Sequence, residues 1–538
     1  MTDIQREAAR RKTFAIISHP DAGKTTLPEK LLLYGGAIQL AGSVKARRNQ
    51  KKATSDWMEL EKQRGISITS TVLQFEFADH VLNLLDTPGH EDFSADTYRT
   101  LTAADSAVML IDNAKGVEAQ TRKLYAVCSR RGIPIFTFVN KMDHPGKGPL
   151  ALLTEVEDVL QIRTTPVNWP IGQGSEFRGV FDRATQMVHM YQKTAHGASK
   201  AKVDFIPLAE AEEAIGREAY KTLMEDIELL DIAGDSFDHD RVSRGELTPV
   251  FFGSAISNFG VELFLRSFLT MAPPPAPRIS GEKIVEPGDE FSGFVFKIQA
   301  NMDPQHRDRI AFMRVVSGRF EKDMDVVHTR TGKKLRLTRP QRLFAQERET
   351  VEEAYPGDIV GLTNPGAFRL GDTLSLDQTT KFEEVPSFVP EVLATLQNQD
   401  VSRLKQFEKG VQQLTEEGLV DVFMDRRSQR REPILGVVGR LQFEVVQFRM
   451  ISEYGVKTAL EPLPYTLVKW VSGPEKDLDN AFLGNGARLL EDAHNRPVMA
   501  ATSEWNMDFV KKQNKNLTFY DTPEDYDQSL REKGRAAA

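Results

Sequence analysis

Phe14-Ala15-Ile16-Ile17-Ser18 runs directly into His19-Pro20-Asp21-Ala22-Gly23-Lys24-Thr25-Thr26. The first five residues read as a short apolar strand. Leu31 to Leu33 belong to the helix that follows, and Gly35-Gly36 ends it. A loop between strand and helix that carries glycine, lysine and a hydroxyl residue in that order has the form of a phosphate-binding loop. Its backbone N–H groups and the helix N-terminus favour phosphate charge. In this reading Ser18, His19, Pro20, Asp21, Ala22, Gly23, Lys24, Thr25 and Thr26 line the phosphates. Lys24 reaches the β- and γ-phosphates, and Thr25 offers its hydroxyl to Mg2+. Ser18 stands where the first glycine of the usual pattern belongs.

Working outward, further apolar runs occur at Val81–Leu85, Ala107–Ile111, Ile135–Val139 and Val250–Phe252, mostly separated by helical patterns. Continuous apolar strands alternating with helices predict a parallel-type sheet covered on both faces, with ligands outside the carboxyl ends of its strands. Three more motifs fall at those ends. Asp86-Thr87-Pro88-Gly89-His90 follows one strand. Its carboxylate can hold Mg2+ through water, the Gly89 N–H can sense the γ-phosphate, and His90 is the candidate for orienting the attacking water. Asn140-Lys141-Met142-Asp143 follows another strand. The Asp143 carboxylate accepts from the paired N1–H and 2-amino donors of guanine, which adenine lacks, and Asn140 takes the opposite edge of the base. Gly253-Ser254-Ala255 offers backbone N–H groups to the guanine carbonyl. In the loop Arg64-Gly65-Ile66-Ser67-Ile68-Thr69, Ser67 is the first choice and Thr69 the second for a hydroxyl that completes the Mg2+ shell.

The rest of the 538 residues bounds the class of protein. A hydrophobic content of 40% and a charged content of 27% fit a globular chain of several domains. One cysteine, Cys128, leaves no internal disulfide framework. No leader-like apolar run stands at Met1–Lys12 and no long apolar stretch follows, so a cytoplasmic protein without a membrane partner is expected. A net charge of −8 argues against a protein that coats DNA. Basic residues still cluster at Lys45, Arg47, Arg48, Lys51 and Lys52, at Lys333, Lys334, Arg336, Arg339 and Arg342, and at Arg426, Arg427, Arg430 and Arg431. Three such groups on an acidic chain point to local contacts with phosphates.

The fold class expected is α/β. A phosphate-loop domain with a parallel-type sheet covers residues 1–277, with a subdomain inserted at about 163–248. A β-barrel domain at 278–385 and an α+β sandwich at 386–538 follow. The insertion carries an acidic helical stretch, Leu208–Leu230, and the stiff Ala272-Pro273-Pro274-Pro275-Ala276-Pro277 closes the first domain. Short strands at Phe291–Ile298, Arg309–Val316 and Gly357–Leu362 read as the barrel. Val401, Leu404, Phe407, Val411 and Leu414 make one apolar helix face in the third region, which Gly418 stops.

Taken together, His19-x-Asp21-x-Gly23-Lys24-Thr25, Arg64-Gly65-Ile66, Asp86-Thr87-Pro88-Gly89-His90 and Asn140-Lys141-Met142-Asp143 resemble the translational GTPases. The resemblance implies GTP and GDP as ligands with Mg2+, and the bacterial ribosome, including its RNA, as partner. It assigns His90 and Lys24 to catalysis, with Asp21 helping to hold a cation near the phosphates, and it makes Ile66 and Pro20 an apolar gate beside His90. Phe294-Val295-Phe296-Lys297, Arg314-Val315-Val316-Ser317-Gly318 and Gly371-Asp372-Thr373-Leu374 resemble the second domain of elongation factor G. Gly35-Gly36-Ala37-Ile38-Gln39, Ser55-Asp56-Trp57-Met58-Glu59 and Arg440-Leu441-Gln442-Phe443-Glu444 resemble the branch of the family that acts in termination. That branch implies a monomeric GTPase that drives class I release factors off the ribosome after peptide release. The alternative within the family, translocation or ribosome protection, is disfavoured by the length of the chain. Ser67, where most relatives carry threonine, and Pro28, early in the first helix, depart from the pattern.

The base-reading assignment has a direct test. Asp143→Asn presents a donor to guanine N1–H, so affinity for GTP should fall and affinity for xanthosine triphosphate should rise. Competition between the two nucleotides measures it, and an unchanged preference for GTP removes Asp143 from base recognition.

Overall fold

The computed structural model describes residues 2–38, 61, 67–192, 199–300, 309–344, 347–363, 366–382, 388–428 and 432–537. The basic cluster at 45–52, the segments 55–59 and 64–66, and Arg430 and Arg431 lie outside them.

The phosphate-loop region is built on a seven-stranded sheet. Its strands run in the order Thr71–Phe77, His80–Asp86, Arg11–Ser18, Ser106–Asp112, Ile135–Asn140, Leu247–Phe252 and Arg163–Pro166. Every neighbouring pair is parallel except the first, which is antiparallel. The exception has a local cause. Only Ala78 and Asp79 separate those two strands, at φ 46° and 60°, which is the backbone of a two-residue hairpin and far too short for a crossover. Helices Thr26–Tyr34, Ala119–Arg130, Pro149–Leu160 and Val261–Met271 accompany the sheet. Pro28 is the third residue of the first of these and is buried in its first turn.

Arg163–Pro166 is an edge strand of this main sheet, paired with Leu247–Val250, so the chain leaves the sheet after Pro166 rather than at Arg163. Between those points lies an antiparallel four-stranded sheet, Asn168–Ile171, Gly179–Asp182, Met187–Gln192 and Lys202–Pro207. The acidic stretch forms the helix Arg217–Ala233 against it. Trp169 fills the seam, stacking edge-on to Phe252 and donating Nε1–H to Asp226 (2.9 Å).

The middle region is one antiparallel eight-stranded, barrel-like sheet around Val295, Met313, Val315, Phe320 and Leu374. The C-terminal region is a second eight-stranded sheet with a doubled plan that the sequence does not announce. Val392–Asn398, Leu404–Glu416, Asp421–Asp425, Ile434–Val437, Leu441–Ser452 and Thr458–Pro462 form a βαββαβ unit. Leu467–Ser472, Glu475–Asp479, Ala487–Asp492, Pro497–Ala501, Glu504–Gln513 and Thr518–Tyr520 form another. Numbering the strands within each unit, both have the spatial order 4-1-3-2, the split βαβ arrangement. Their second strands, Asp421–Asp425 and Ala487–Asp492, pair antiparallel and fuse the two into one sheet.

The first two regions meet through buried charge. Arg314, 2% exposed, donates to Asp105 (2.5 Å), to Thr13 Oγ1 (2.6 Å) and to the Gly357 carbonyl. Arg11 donates to Asp358 (2.8 Å), while Lys12 beside it donates to the Ala272 carbonyl (2.6 Å) within the first region. Removing one partner of such a pair strands the other. Arg314→Ala should therefore destabilise the chain by about 3–5 kcal/mol, read by urea or thermal unfolding. Adding Asp105→Leu should restore much of the loss. A single variant with the parent's stability would mean that Arg314 is not a structural tie.

Candidate nucleotide site

The four motifs converge at the carboxyl ends of Arg11–Ser18, His80–Asp86, Ile135–Asn140 and Leu247–Phe252. In the phosphate loop Asp21 and Gly23 have φ 68° and 104°. Left-handed residues here turn successive N–H groups inward, as anion binding needs. Gly23 accepts from Thr26 and Leu27 (both 3.0 Å), which starts the helix. Lys24 is buried and donates to the Pro88 carbonyl (2.8 Å), so the loop is already tied to the Asp86–His90 segment. Burial lowers the Lys24 ammonium to about 8, and the Asp86 charge opposes the fall.

Asn140 is the joint of the site. Its Nδ2–H donates to the Ala22 carbonyl (2.9 Å) and its Oδ1 accepts the Ala255 N–H (2.9 Å). Each end thus makes one bond that ties the phosphate loop to the Gly253–Ala255 loop, and the second Nδ2–H and the second lone pair of Oδ1 remain for the edge of a base. Ser254 N–H is also occupied, by the Phe259 carbonyl (2.9 Å). Lys141 is left-handed at φ 66° and pairs with Asp112 (2.8 Å), while Met142 N–H donates to the Gly253 carbonyl (3.1 Å). Asp143 Oδ1 is buried and has no hydrogen-bond partner among the described residues. An unpaired buried carboxylate oxygen fits a ligand that brings donors. Ser18 Oγ and His19 Nδ1, at the phosphate loop, are buried and unpartnered in the same sense.

Asp86 is buried at its strand end. The Thr87 hydroxyl donates to the Ile16 carbonyl (2.6 Å) and serves the sheet. Gly89 abuts the loop, a side chain there meeting Pro20 at 3.6 Å. His90 caps the turn that follows. Its Nδ1 accepts the Asp92 N–H (3.2 Å), capping the turn Glu91–Phe93, and its ring meets Phe93 edge-on at 6.3 Å. The side chain is 37% exposed. Of the two hydroxyls considered for Mg2+, Thr69 lines a cavity of about 40 Å3 between the regions, with Phe93, Lys297 and Glu417. Its N–H donates to Glu61 (3.2 Å), as does that of Ile68 (2.9 Å). Thr69 thus lies at the junction, and its Oγ1 is buried without a hydrogen-bond partner among the described residues. Among the basic groups, Arg426 pairs with Glu475 and Arg427 donates to the Asp479 and Ala481 carbonyls (2.8 Å), whereas Lys333, Lys334 and Arg336 are exposed on an edge strand.

Sequence reasoning missed the groups that bind this site to the rest of the chain. The Asp92 carboxylate accepts the Leu441 N–H (2.7 Å), Arg99 donates to the Gly418 carbonyl (2.7 Å), and Lys297 donates to the Ser70 carbonyl (2.5 Å). Only the charged residue types hinted at them.

This sheet, with these loops at these strand ends and a barrel-like sheet behind, defines a GTP-binding protein of the translation-factor class, a hydrolase acting on GTP. The profile of the elongation factor Tu GTP binding domain matches residues 9–274, that of elongation factor G domain 2 matches 290–377, and that of the class II release factor RF3 C-terminal domain matches 382–511. Peptide chain release factor 3 of Microcystis aeruginosa is 58% identical over 96% of this chain and 97% of its own length. That of Rippkaea orientalis is 57% identical over 95% of each. A crystal structure from Thermus thermophilus shares the fold at TM-score 0.68 and 23% identity, covering 91% of this chain and 72% of that one. The chain belongs to the peptide chain release factor 3 family and is a GTPase of translation termination.

Gly23 tests the frame. A Cβ there would lie 2.1 Å from Asn140 Nδ2, at a φ that L side chains avoid. Gly23→Ala should weaken GDP binding at least tenfold, since strain of about 1–3 kcal/mol comes on top of a displaced Asn140 bond. Titration with a fluorescent GDP analogue reads it, and parental affinity would show the loop tolerates the change.

Proposed function

We propose that the chain binds GTP with Mg2+, hydrolyses it when the ribosome engages it, and uses the cycle to remove class I release factors after peptide release. The observation that carries the triggered part is His90. It directly follows Gly89, which lies against the phosphate loop, and its Nδ1 caps the next turn. A water-orienting group engaged in that cap supports a slow resting enzyme awaiting an activator.

Thr25, Asp86 and Ser67 would hold Mg2+, which when bound supplies positive charge to the phosphates. Buried Asp86 and the hydroxyl donors suit such an ion. Lys24 would trade its contact with Pro88 for phosphate oxygens. Asp143 would accept from the guanine N1–H and 2-amino group. The N–H groups around Asp21 and Gly23 would cradle the phosphates. His90, turned inward and neutral, would accept a hydrogen bond from water and align it with the γ-phosphorus. Ribosomal RNA is the proposed agent of that turn.

His90→Ala should bind GTP almost normally and lose ribosome-stimulated hydrolysis by about 10³-fold or more if positioning dominates. The ribosome-free rate should change far less. Normal hydrolysis on ribosomes would exclude His90 from the mechanism, and failure to bind GTP would mark it as structural.

A further inference from the structure

Asp92, two residues beyond His90, holds two partners at once. Its N–H donates to His90 Nδ1 (3.2 Å), and its carboxylate accepts the N–H of Leu441 (2.7 Å) from the C-terminal region. Leu441 is the first residue of the helix Leu441–Ser452, so the carboxylate also faces the positive end of that helix. The fit is close: a Cβ on Gly439 would fall 2.0 Å from Asp92 Cγ. The next residue, Phe93, is 2% exposed and packs with Ile68 and with Val445 of the same helix. One helix of a distant region therefore grips both residues that set the direction of the His90 ring.

We propose that Asp92 is a positioning residue for GTP hydrolysis: anchored by Leu441, it keeps His90 bound to the Glu91–Phe93 turn until the C-terminal region shifts. The proposal rests on the reading of His90 as the water-orienting group. The turn Glu91–Phe93 cannot re-orient without parting Asp92 from Leu441 and drawing Phe93 out of its contact with Val445. Movement of the helix Leu441–Ser452 releases both together. The same region therefore couples an external partner to the catalytic loop without touching the His90 ring.

The test uses the full chain and single-turnover GTP hydrolysis without ribosomes. Asp92→Ala should hydrolyse GTP about tenfold faster than the parent, the worth of one hydrogen bond to a charged group, with GDP affinity unchanged. Asp92→Asn keeps an acceptor for Leu441 and should stay near the parental rate. Gly439→Ala displaces Asp92 from the other side and should reproduce the gain. Amide hydrogen exchange at 91–93 should quicken in Asp92→Ala and Gly439→Ala. The pair Asp92→Ala with His90→Ala should lose the gain entirely. Folded, GDP-binding Asp92→Ala and Gly439→Ala proteins with the parental rate overturn the proposal. So does a gain that survives in the double variant. If His90→Ala alone hydrolyses GTP normally on ribosomes, the underlying reading of His90 fails. A flat Asp92→Ala beside an inactive His90→Ala overturns the anchoring role only.

Discussion

The nucleotide site depends on one carboxamide. Asn140 holds the Ala22 carbonyl with one end and the Ala255 N–H with the other, joining loops that lie 118 and 115 residues away in the chain. Its reach decides the neighbours. Gly23 has no space for a Cβ, and Asp21 and Lys141 are left-handed so that their loops pass close enough to be joined. The phosphate end and the base end of the site are thus tied through one side chain. The adjustable part is then the segment that follows Gly89, which the frame does not bind.

That segment leans on a junction of a different character. Lys297 from the barrel-like sheet meets Ser70 and Asp96, and Glu417 accepts the Ala300 N–H (3.1 Å) while pairing with Arg449 (2.6 Å). Arg449 also pairs with Glu453 (2.6 Å). Burial pushes the Glu417 carboxyl up, and the Arg449 guanidinium pulls it back. Buried ion pairs add little to net stability, because desolvation offsets their attraction, but they tolerate few geometries. Such a junction orients three regions sharply, beside apolar clusters that also span them: Leu101 with Phe294 and Phe312, and Ile68 and Phe93 with Val445.

The doubled C-terminal sheet serves this arrangement. Its first unit supplies Leu441, Val445, Glu417 and Arg449 to the junction, while its second unit extends the sheet through the pairing of Phe423–Asp425 with Leu490–Asp492. The two units carry the same strand order. Repeated topology arises here because a βαββαβ chain has few ways to cover an antiparallel sheet with two helices.

How much was legible follows from the distance over which each feature is decided. The phosphate loop, Asp86–His90, Asn140–Asp143 and Gly253–Ala255 could be read because each is a short run whose chemistry sits at the end of its own apolar strand. The sequence by itself determined which side chains are available to phosphate, metal and base, and which strands carry them. It did not show that Arg163–Pro166 is a sheet strand, since three polar residues and a proline have no period of their own. It did not show that Asn140 is a tie, that Thr69 lies at the junction, or that Asp92 answers to Leu441 across 349 residues. Those were decided only by the tertiary structure. A buried polar group must find a partner, and which partner is within about 3 Å depends on how distant strands and helices come together, not on the residues beside it.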